Sequence, residues 1–338
     1  MGIKSSVKEQ KVNRVIDTKQ KDIDFNENSL RPKTIGDYVG QTQLKKHLGV
    51  SIASAKMRKA TLEHILFYGP PGLGKTTLCN IIANEMQANI KTTSGPAIEK
   101  QADLVSILSN LESGDILFID EIHRLRPQIE EVLYTAMEDF VIDIVVGKGT
   151  GAQGVRMPVN NFSLVGATTK LSSLSSPLRD RFGNVMKLDF YNDEELFMII
   201  KNNSKLLNLE LGDNIISQIA KRSRGTPRIT NRLLKIVRDY TIIGHNLNDE
   251  KVCENIFNDL GIDDKGLDYL DKKYLDTINS KFGGGPVGLS TIASSIGEEE
   301  STIEDVVEPY LLQIGFIQRS PRGRIITDLG LKHLKNII

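Results

Sequence analysis

Two acids and one lysine are the residues best suited to chemistry. Lys75 closes the stretch Gly69-Pro70-Pro71-Gly72-Leu73-Gly74 and is followed by Thr76 and Thr77. The spacing fits G-x-x-x-x-G-K-[ST]. Glycines let a backbone turn tightly and close on a phosphate chain with its amides pointing inward. Lys75 then reaches the β- and γ-phosphates of a nucleoside triphosphate, and the Thr76 hydroxyl holds Mg²⁺. Asp120 and Glu121 end the apolar run Asp115-Ile116-Leu117-Phe118-Ile119. Asp120 is placed to take a Mg²⁺-bound water and Glu121 to polarise the attacking water. Alone, each stretch has an ordinary reading, a Gly/Pro turn or a polar exit from a strand. Together they predict hydrolysis of ATP with Mg²⁺.

Three further groups are candidates. Phe162-Ser163-Leu164-Val165-Gly166-Ala167 ends in Thr168 and Thr169. A threonine there hydrogen-bonds either the γ-phosphate or the lytic water, or simply caps the next segment. Ser176-Pro177-Leu178-Arg179-Asp180-Arg181 carries two arginines beyond that strand. An arginine there pairs locally with Asp180, or projects into a neighbouring subunit's nucleotide site. Arg228 comes after Gly225-Thr226-Pro227 at the head of a helix, where it can turn back to the phosphates or stay solvated.

These residues need a rigid frame. Strands are expected at His64–Tyr68, Ile90–Thr93, Asp115–Ile119, Phe162–Gly166 and Val185–Phe190. They alternate with helices at Thr76–Glu85, Ala102–Leu111 and Ile129–Glu138, after a first helix at Thr42–Arg58. Alternation of this kind predicts a parallel α/β sheet covered on both faces. Val141–Val146, a glycine-rich tip and Val155–Pro158 read as an inserted β-hairpin. Its apolar residues Ile142, Ile144 and Val146 either belong to a sheet edge or dock a partner protein. An all-helical stretch runs from Asp193 to about Leu260, with a joint at Asp263–Gly266, and then come three helices with a short strand pair. The expected division is a flexible tail at 1–28, a large ATPase domain at 29–191, a helical lid at 192–262 and a small C-terminal domain at 265–338.

Composition narrows the class. The 338 residues carry 43 basic and 43 acidic side chains, so any nucleic-acid contact must come from a local patch. Cys79 and Cys253 have no C-x-x-C spacing and argue for a reducing compartment, against a disulfide frame and against a zinc site. No apolar run has membrane-spanning length and the N-terminus has no signal-peptide core, so the expected location is the cytoplasm.

The local patch is near the end of the chain. Phe316–Ile326 reads as a strand, a Pro-Arg-Gly turn and a strand, a wing bearing Arg319, Arg322 and Arg324. Arginines on a turn grip phosphates without reading bases, or are merely solvated. The preceding helix carries Glu304, Asp305 and Glu308 and is too acidic for a major groove.

Taken together these stretches resemble the AAA+ ATPases. Within them they resemble the RuvB family of bacterial Holliday-junction branch-migration motors. Supporting stretches include Leu30-Arg31-Pro32, Tyr38-Val39-Gly40-Gln41, Asp120–Leu125, Met137–Phe140, Gly284–Leu289 and Pro321–Arg324, so the likeness covers residues from about 30 to 330. It implies a winged-helix C-terminal domain and a hexameric ring on DNA. It implies a RuvA-like junction-binding partner on the hairpin, with a RuvC-like resolvase as a further partner. It puts Leu30 and Arg31 by the adenine and Gly72, Gly74, Lys75, Thr76 and Thr77 on the phosphates. Glu138, Asp139, Phe140 and Tyr191 also approach the nucleotide in this resemblance. Thr169, with Thr168 as the other candidate, matches sensor 1, and Arg228 matches sensor 2. Arg181, with Arg179 in reserve, matches the arginine finger. Arg319 and Arg324 match the DNA contacts. The alternative is another AAA+ DNA machine, such as a clamp loader or initiator ATPase.

Overall fold

In a computed structural model, residues 30–146, 153–245 and 250–337 are described. The chain divides into two units at Arg31/Pro32, and every named strand and helix belongs to the second. The tail expected at 1–28 and the hairpin tip lie outside the described residues.

Short apolar runs bounded by turns become strands. They are β1 (Ile65–Tyr68), β2 (Ile90–Ser94), β3 (Ile116–Asp120), β4 (Val141–Val146), β5 (Gln153–Pro158), β6 (Ser163–Thr168) and β7 (Asn184–Lys187). Five of them form one parallel sheet in the order β2-β3-β6-β1-β7. Every residue of β6, and all of β3 except its terminal Asp120, is buried. Such unbroken burial means that both faces of the sheet are covered. Helices α1 (Thr42–Arg58), α2 (Lys75–Met86), α3 (Gln101–Ser109), α4 (Pro127–Glu138) and α5 (Ser176–Asp180) lie between strands or before them. One core joins Leu104, Leu108, Leu133 and Met137 to Leu117, Ile119 and Leu164 of the sheet. The last strand ends earlier than the sequence suggests, because Asp189 is already held outside the sheet by both ends of the Gln41 amide.

The hairpin β4–β5 is antiparallel and pairs Ile144 with Val155. One expectation is overturned here. Ile142 is fully buried in the sheet-side core and Ile144 packs against it, so these residues anchor the hairpin and do not form an open docking face. Alternation along a strand puts residues two apart on the same face. The base of that face is consumed by the core. Val155 is the exposed apolar side chain of the pair, at 42%. The side chain of Val146 lies outside the described residues.

The lid is α6 (Asp193–Leu206), α7 (Asp213–Arg222), α8 (Pro227–Ile242) and α9 (Glu250–Asp259). Asn192 and Glu195 form a reciprocal capping box at the start of α6. Pro227 opens α8 at a position where its missing N–H costs nothing. That start puts Arg228 in the first turn, at the head of a helix as the sequence suggests.

The C-terminal segment holds α10 (Tyr269–Asp276), α11 (Leu289–Ile296), α12 (Glu300–Thr302), α13 (Glu308–Gln313), β8 (Ile317–Ser320), β9 (Gly323–Ile326) and α14 (Asp328–Ile337). A π turn at Ile303–Val307 joins α12 to α13 in one rod. There are thus four helical rods, not the three expected, since α14 adds Leu334 to the local core with Tyr274, Ile292 and Leu311. Strands β8 and β9 pair antiparallel as the expected wing.

Candidate active site

Strand β1 runs out into the Gly69–Gly74 loop, and α2 begins at Lys75. Lys75 is buried. Its Nζ donates to the carbonyl oxygens of Gly69 at 2.7 Å and Pro70 at 2.8 Å. The loop is therefore wrapped on the ammonium. Burial pushes the Lys75 pKa down to about 8; Asp120 opposes this, and Arg228 adds to it. No side chain caps α2 and no acid sits in its first turn. Its positive end is left to an anion. Gly74 takes φ +103°, and a Cβ there would meet the Tyr38 hydroxyl at 2.9 Å. These features suit a phosphate chain, with Thr76 and Thr77 half-buried beside it.

Two tyrosines hold the loop from behind. The hydroxyls of Tyr38 and Tyr191 lie 2.7 Å apart, and each is 3.3 Å from the Leu73 carbonyl oxygen. Burial raises both phenol pKa values, that of Tyr191 to about 12. Family likeness points to Tyr191 but not to Tyr38 as its partner. In the sequence Tyr38 is only an aromatic in a loop, and pairing across 153 positions leaves no local signal.

Arg228 reaches this loop from the lid. Its N–H donates to the Gly72 carbonyl at 3.3 Å, and a Cβ on Gly72 would lie 3.1 Å from the Arg228 Cβ. Asp120 ends β3 beside Lys75, and its carboxylate accepts the Glu121 N–H at 2.9 Å. Glu121 takes a left-handed φ of +48° and pairs with Arg124 at 3.3 Å. A non-glycine residue at such a φ is held there by its surroundings.

The two threonines separate. Thr168 is buried, accepts the Lys170 N–H and lies 3.0 Å from His123 Nδ1. Thr169 is exposed. Burial, first among several influences, keeps the His123 pKa below the usual value.

Arg181, Glu138 and Phe140 are not gathered at the Lys75 loop. Arg181 Nη2 lies 3.1 Å from Glu138, its Nη1 donates to Pro177 O at 2.7 Å, and its guanidinium covers the Tyr134 ring at 4.6 Å. Glu63, His64, Phe140, Phe162 and Arg181 line one hollow. His64 and Phe162 precede β1 and β6, so this hollow is at the edge of the sheet where the strands begin. The loop is at the edge where they end. Asp139 pairs with Arg156 of the hairpin at 3.0 Å. The expectation that 138–140 approach the nucleotide therefore fails within a single chain. Local pairing with Asp180 belongs to Arg179, at 3.9 Å. Leu30 is buried and Arg31 partly so, in the first unit.

The wing holds a second finding. Glu308 is fully buried and accepts from Arg319 Nε at 2.9 Å, Arg324 Nε at 2.7 Å and the Tyr274 hydroxyl at 2.9 Å. Burial raises the Glu308 pKa, but the bonds from Arg324, Tyr274 and Arg319 outweigh it and leave the value lowered. Glu308 is thus an interior anchor for two wing arginines and not a surface acid, which corrects the sequence reading of this helix. Arg322 is exposed at the turn.

Comparison with known proteins decides the family. Residues 30–188 match the family model described as the Holliday junction DNA helicase RuvB P-loop domain. Residues 191–263 match the RuvB AAA lid domain, and 264–335 the RuvB C-terminal winged helix domain. The chain belongs to the RuvB family. A RuvB subunit of the Holliday junction branch migration complex from Dehalococcoides mccartyi is 55% identical over 307 residues, covering 90% of this chain and 88% of that one. The Thermotoga maritima RuvB Holliday junction branch migration motor superposes with a TM-score of 0.82 at 49% identity, covering 91% of this chain and 98% of that one. A point mutant of the same protein gives 0.83 at 50% identity, with 90% and 98% covered. RuvB membership makes the chain an ATP-driven AAA+ helicase with an α/β core, a helical lid and a winged-helix domain. No described helix is long and apolar enough to cross a membrane.

Proposed function

We propose that this chain is one subunit of a homohexameric ring that hydrolyses ATP to draw duplex DNA through itself and branch-migrate Holliday junctions. Its domains divide near 191 and 263. The observation that carries the reading is the split of the machinery across the sheet. Lys75, Asp120 and Arg228 meet at one edge, while Arg181 sits at the other. Four residues of β1 separate those edges by roughly 10 Å, at about 3.3 Å per residue. An arginine so placed serves a neighbour's pocket.

In that pocket, Lys75 exchanges its two loop carbonyls for β- and γ-phosphate oxygens. Gly72, Gly74, Thr76 and Thr77 supply backbone around the phosphates, and Tyr191 the nucleoside side. Thr76 and Asp120 would hold Mg²⁺, which would offset phosphate charge. Glu121, released from Arg124, orients the attacking water and takes its proton. Thr169 is the exposed hydroxyl next to that water, since the Thr168 hydroxyl is engaged with His123. Arg181, leaving Glu138, meets charge building on the transferred phosphoryl group. Arg228 senses loss of that group and moves the lid. Glu138, Asp139 and Phe140 border the same neighbouring nucleotide from the subunit that supplies Arg181.

Arg319, Arg322 and Arg324 hold the DNA backbone without reading sequence. A RuvA-like protein binds the hairpin, and a RuvC-like resolvase joins the complex. The cytoplasm of a bacterium is the setting. A branch-migration assay on a synthetic four-way junction with a RuvA-like partner tests this. Strand exchange that needs ATP and is lost in Lys75→Ala is expected. ATP turnover without any junction movement overturns the motor reading.

A further inference from the structure

Arg224 carries none of the roles assigned above in ATP hydrolysis or in the wing, yet its side chain is held on several sides. It lies four residues before Arg228, between α7 and α8 of the lid. Its Nη1 donates to Asp271 Oδ2 at 2.8 Å and its Nη2 to Asp271 Oδ1 at 3.2 Å, a bidentate pair. The Asp271 side chain is 1% exposed and that of Arg224 10%. The guanidinium also covers the Tyr310 ring at 4.7 Å and reaches the Val306 carbonyl at 3.4 Å. Asp271 is on α10, Val306 on the π turn and Tyr310 on α13, all of them in the winged-helix segment. Arg224 takes φ +52°, a conformation that costs a non-glycine residue energy unless its surroundings hold it there.

The same short stretch is fixed to the nucleotide side. The Gly225 carbonyl accepts the Tyr191 N–H at 2.9 Å, and the Gly72 carbonyl accepts the Arg228 N–H at 3.3 Å. Residues 224–228 are therefore clamped at one end to the winged-helix segment and at the other to the phosphate loop. A bidentate fork is directional, so it transmits rotation where a loose point charge would slip.

We infer that Arg224 is a positioning residue that couples the nucleotide loop to the DNA-holding wing through Asp271. The inference rests on the motor reading. A shift of Arg228 on phosphate release turns the 224–228 stretch, and the Arg224 fork carries that turn into α10 and α13, the helix bearing Glu308 and through it the wing arginines.

The test uses the full chain with linear duplex DNA and the variants Arg224→Lys, Asp271→Asn and the double variant. ATP turnover without DNA and duplex affinity should stay near wild type. Stimulation of turnover by DNA should fall about tenfold in each single variant, as expected for loss of a coupling free energy between two sites. The double variant should be no worse than either single one, because the two act as a unit. Lysine keeps the charge and removes only the fork, so it separates coupling from folding. Full DNA stimulation in Arg224→Lys and Asp271→Asn overturns the inference. So does a parallel loss of thermal stability, duplex affinity and stimulation in all variants, which marks a purely structural pair. A wild-type chain with no response to DNA sinks the motor reading first.

Discussion

Arg181 Nη2 lies 3.1 Å from Glu138 Oε2, and both are at the opposite edge of the parallel sheet from Lys75. Under the proposed function, this contact holds Arg181 on a carboxylate of its own subunit until a neighbour's nucleotide draws it off. Arg181→Ala should leave ATP affinity intact while hydrolysis falls by roughly 10³-fold, the lower range for such a group. Mixing Arg181→Ala with Glu121→Gln protein should restore part of the turnover, since some interfaces then pair an intact finger with an intact base. Phosphate release on the mixture checks this, and no recovery at any ratio would rule out action in trans.

Thr168 and Thr169 should fail in different ways. Thr168→Val removes the oxygen facing His123 and the Lys170 N–H, which leaves part-buried groups unpaired at a cost of about 1 kcal/mol. The melting temperature should drop. Thr169→Val should melt like wild type and hydrolyse ATP slowly. Thermal denaturation and turnover of the pair decide between them; a stable Thr168→Val with no activity would reverse the two roles.

Lys75 offers a pH signature. Its folded pKa of about 8 is below the ordinary 10.5 because burial disfavours the charge. A phosphate chain restores the charged form. ATP binding near pH 8 should therefore take up a fraction of a proton, about half at most if the bound lysine is fully charged. Affinity should weaken as pH rises through that value. Calorimetric titration in two buffers of different ionisation enthalpy measures the uptake, and identical heats in both would refute it.

Glu308 supplies a stability signature with the opposite sense. Its folded pKa is lowered from 4.5. A depressed carboxyl contributes stability that is present above the unfolded value and lost as pH falls through the folded one. The winged-helix segment should thus weaken in acid below about 4.5. Glu308→Ala should weaken it at neutral pH by about 3–5 kcal/mol, because two guanidinium groups lose their buried partner. Near-ultraviolet dichroism across an acid titration reads the first, and chemical denaturation the second. A Glu308→Ala protein with unchanged stability would show the anchor to be dispensable.

Much of this protein is local and therefore legible in the chain itself. The Gly69–Thr77 loop, the Asp120–Glu121 strand end and the Pro-Arg-Gly wing are contiguous, and each is specified by near neighbours. Residue spacing alone is enough for the parallel sheet, the lid helices and the hairpin. What the chain could not state is which side of each element meets which other. Ile142 reads as an open apolar face, yet it is buried, because a two-residue period fixes that a face is apolar without fixing what it packs on. Glu308 reads as a surface acid, since its partners Arg319, Arg324 and Tyr274 are 11 to 34 positions away. Tyr38 with Tyr191, and Arg224 with Asp271, are likewise pairs of distant residues. Short-range pattern encodes backbone conformation and the chemistry of a loop. Long-range pairing is decided only when the layers close, because a buried charge or hydroxyl must then find its partner wherever the packing has brought one.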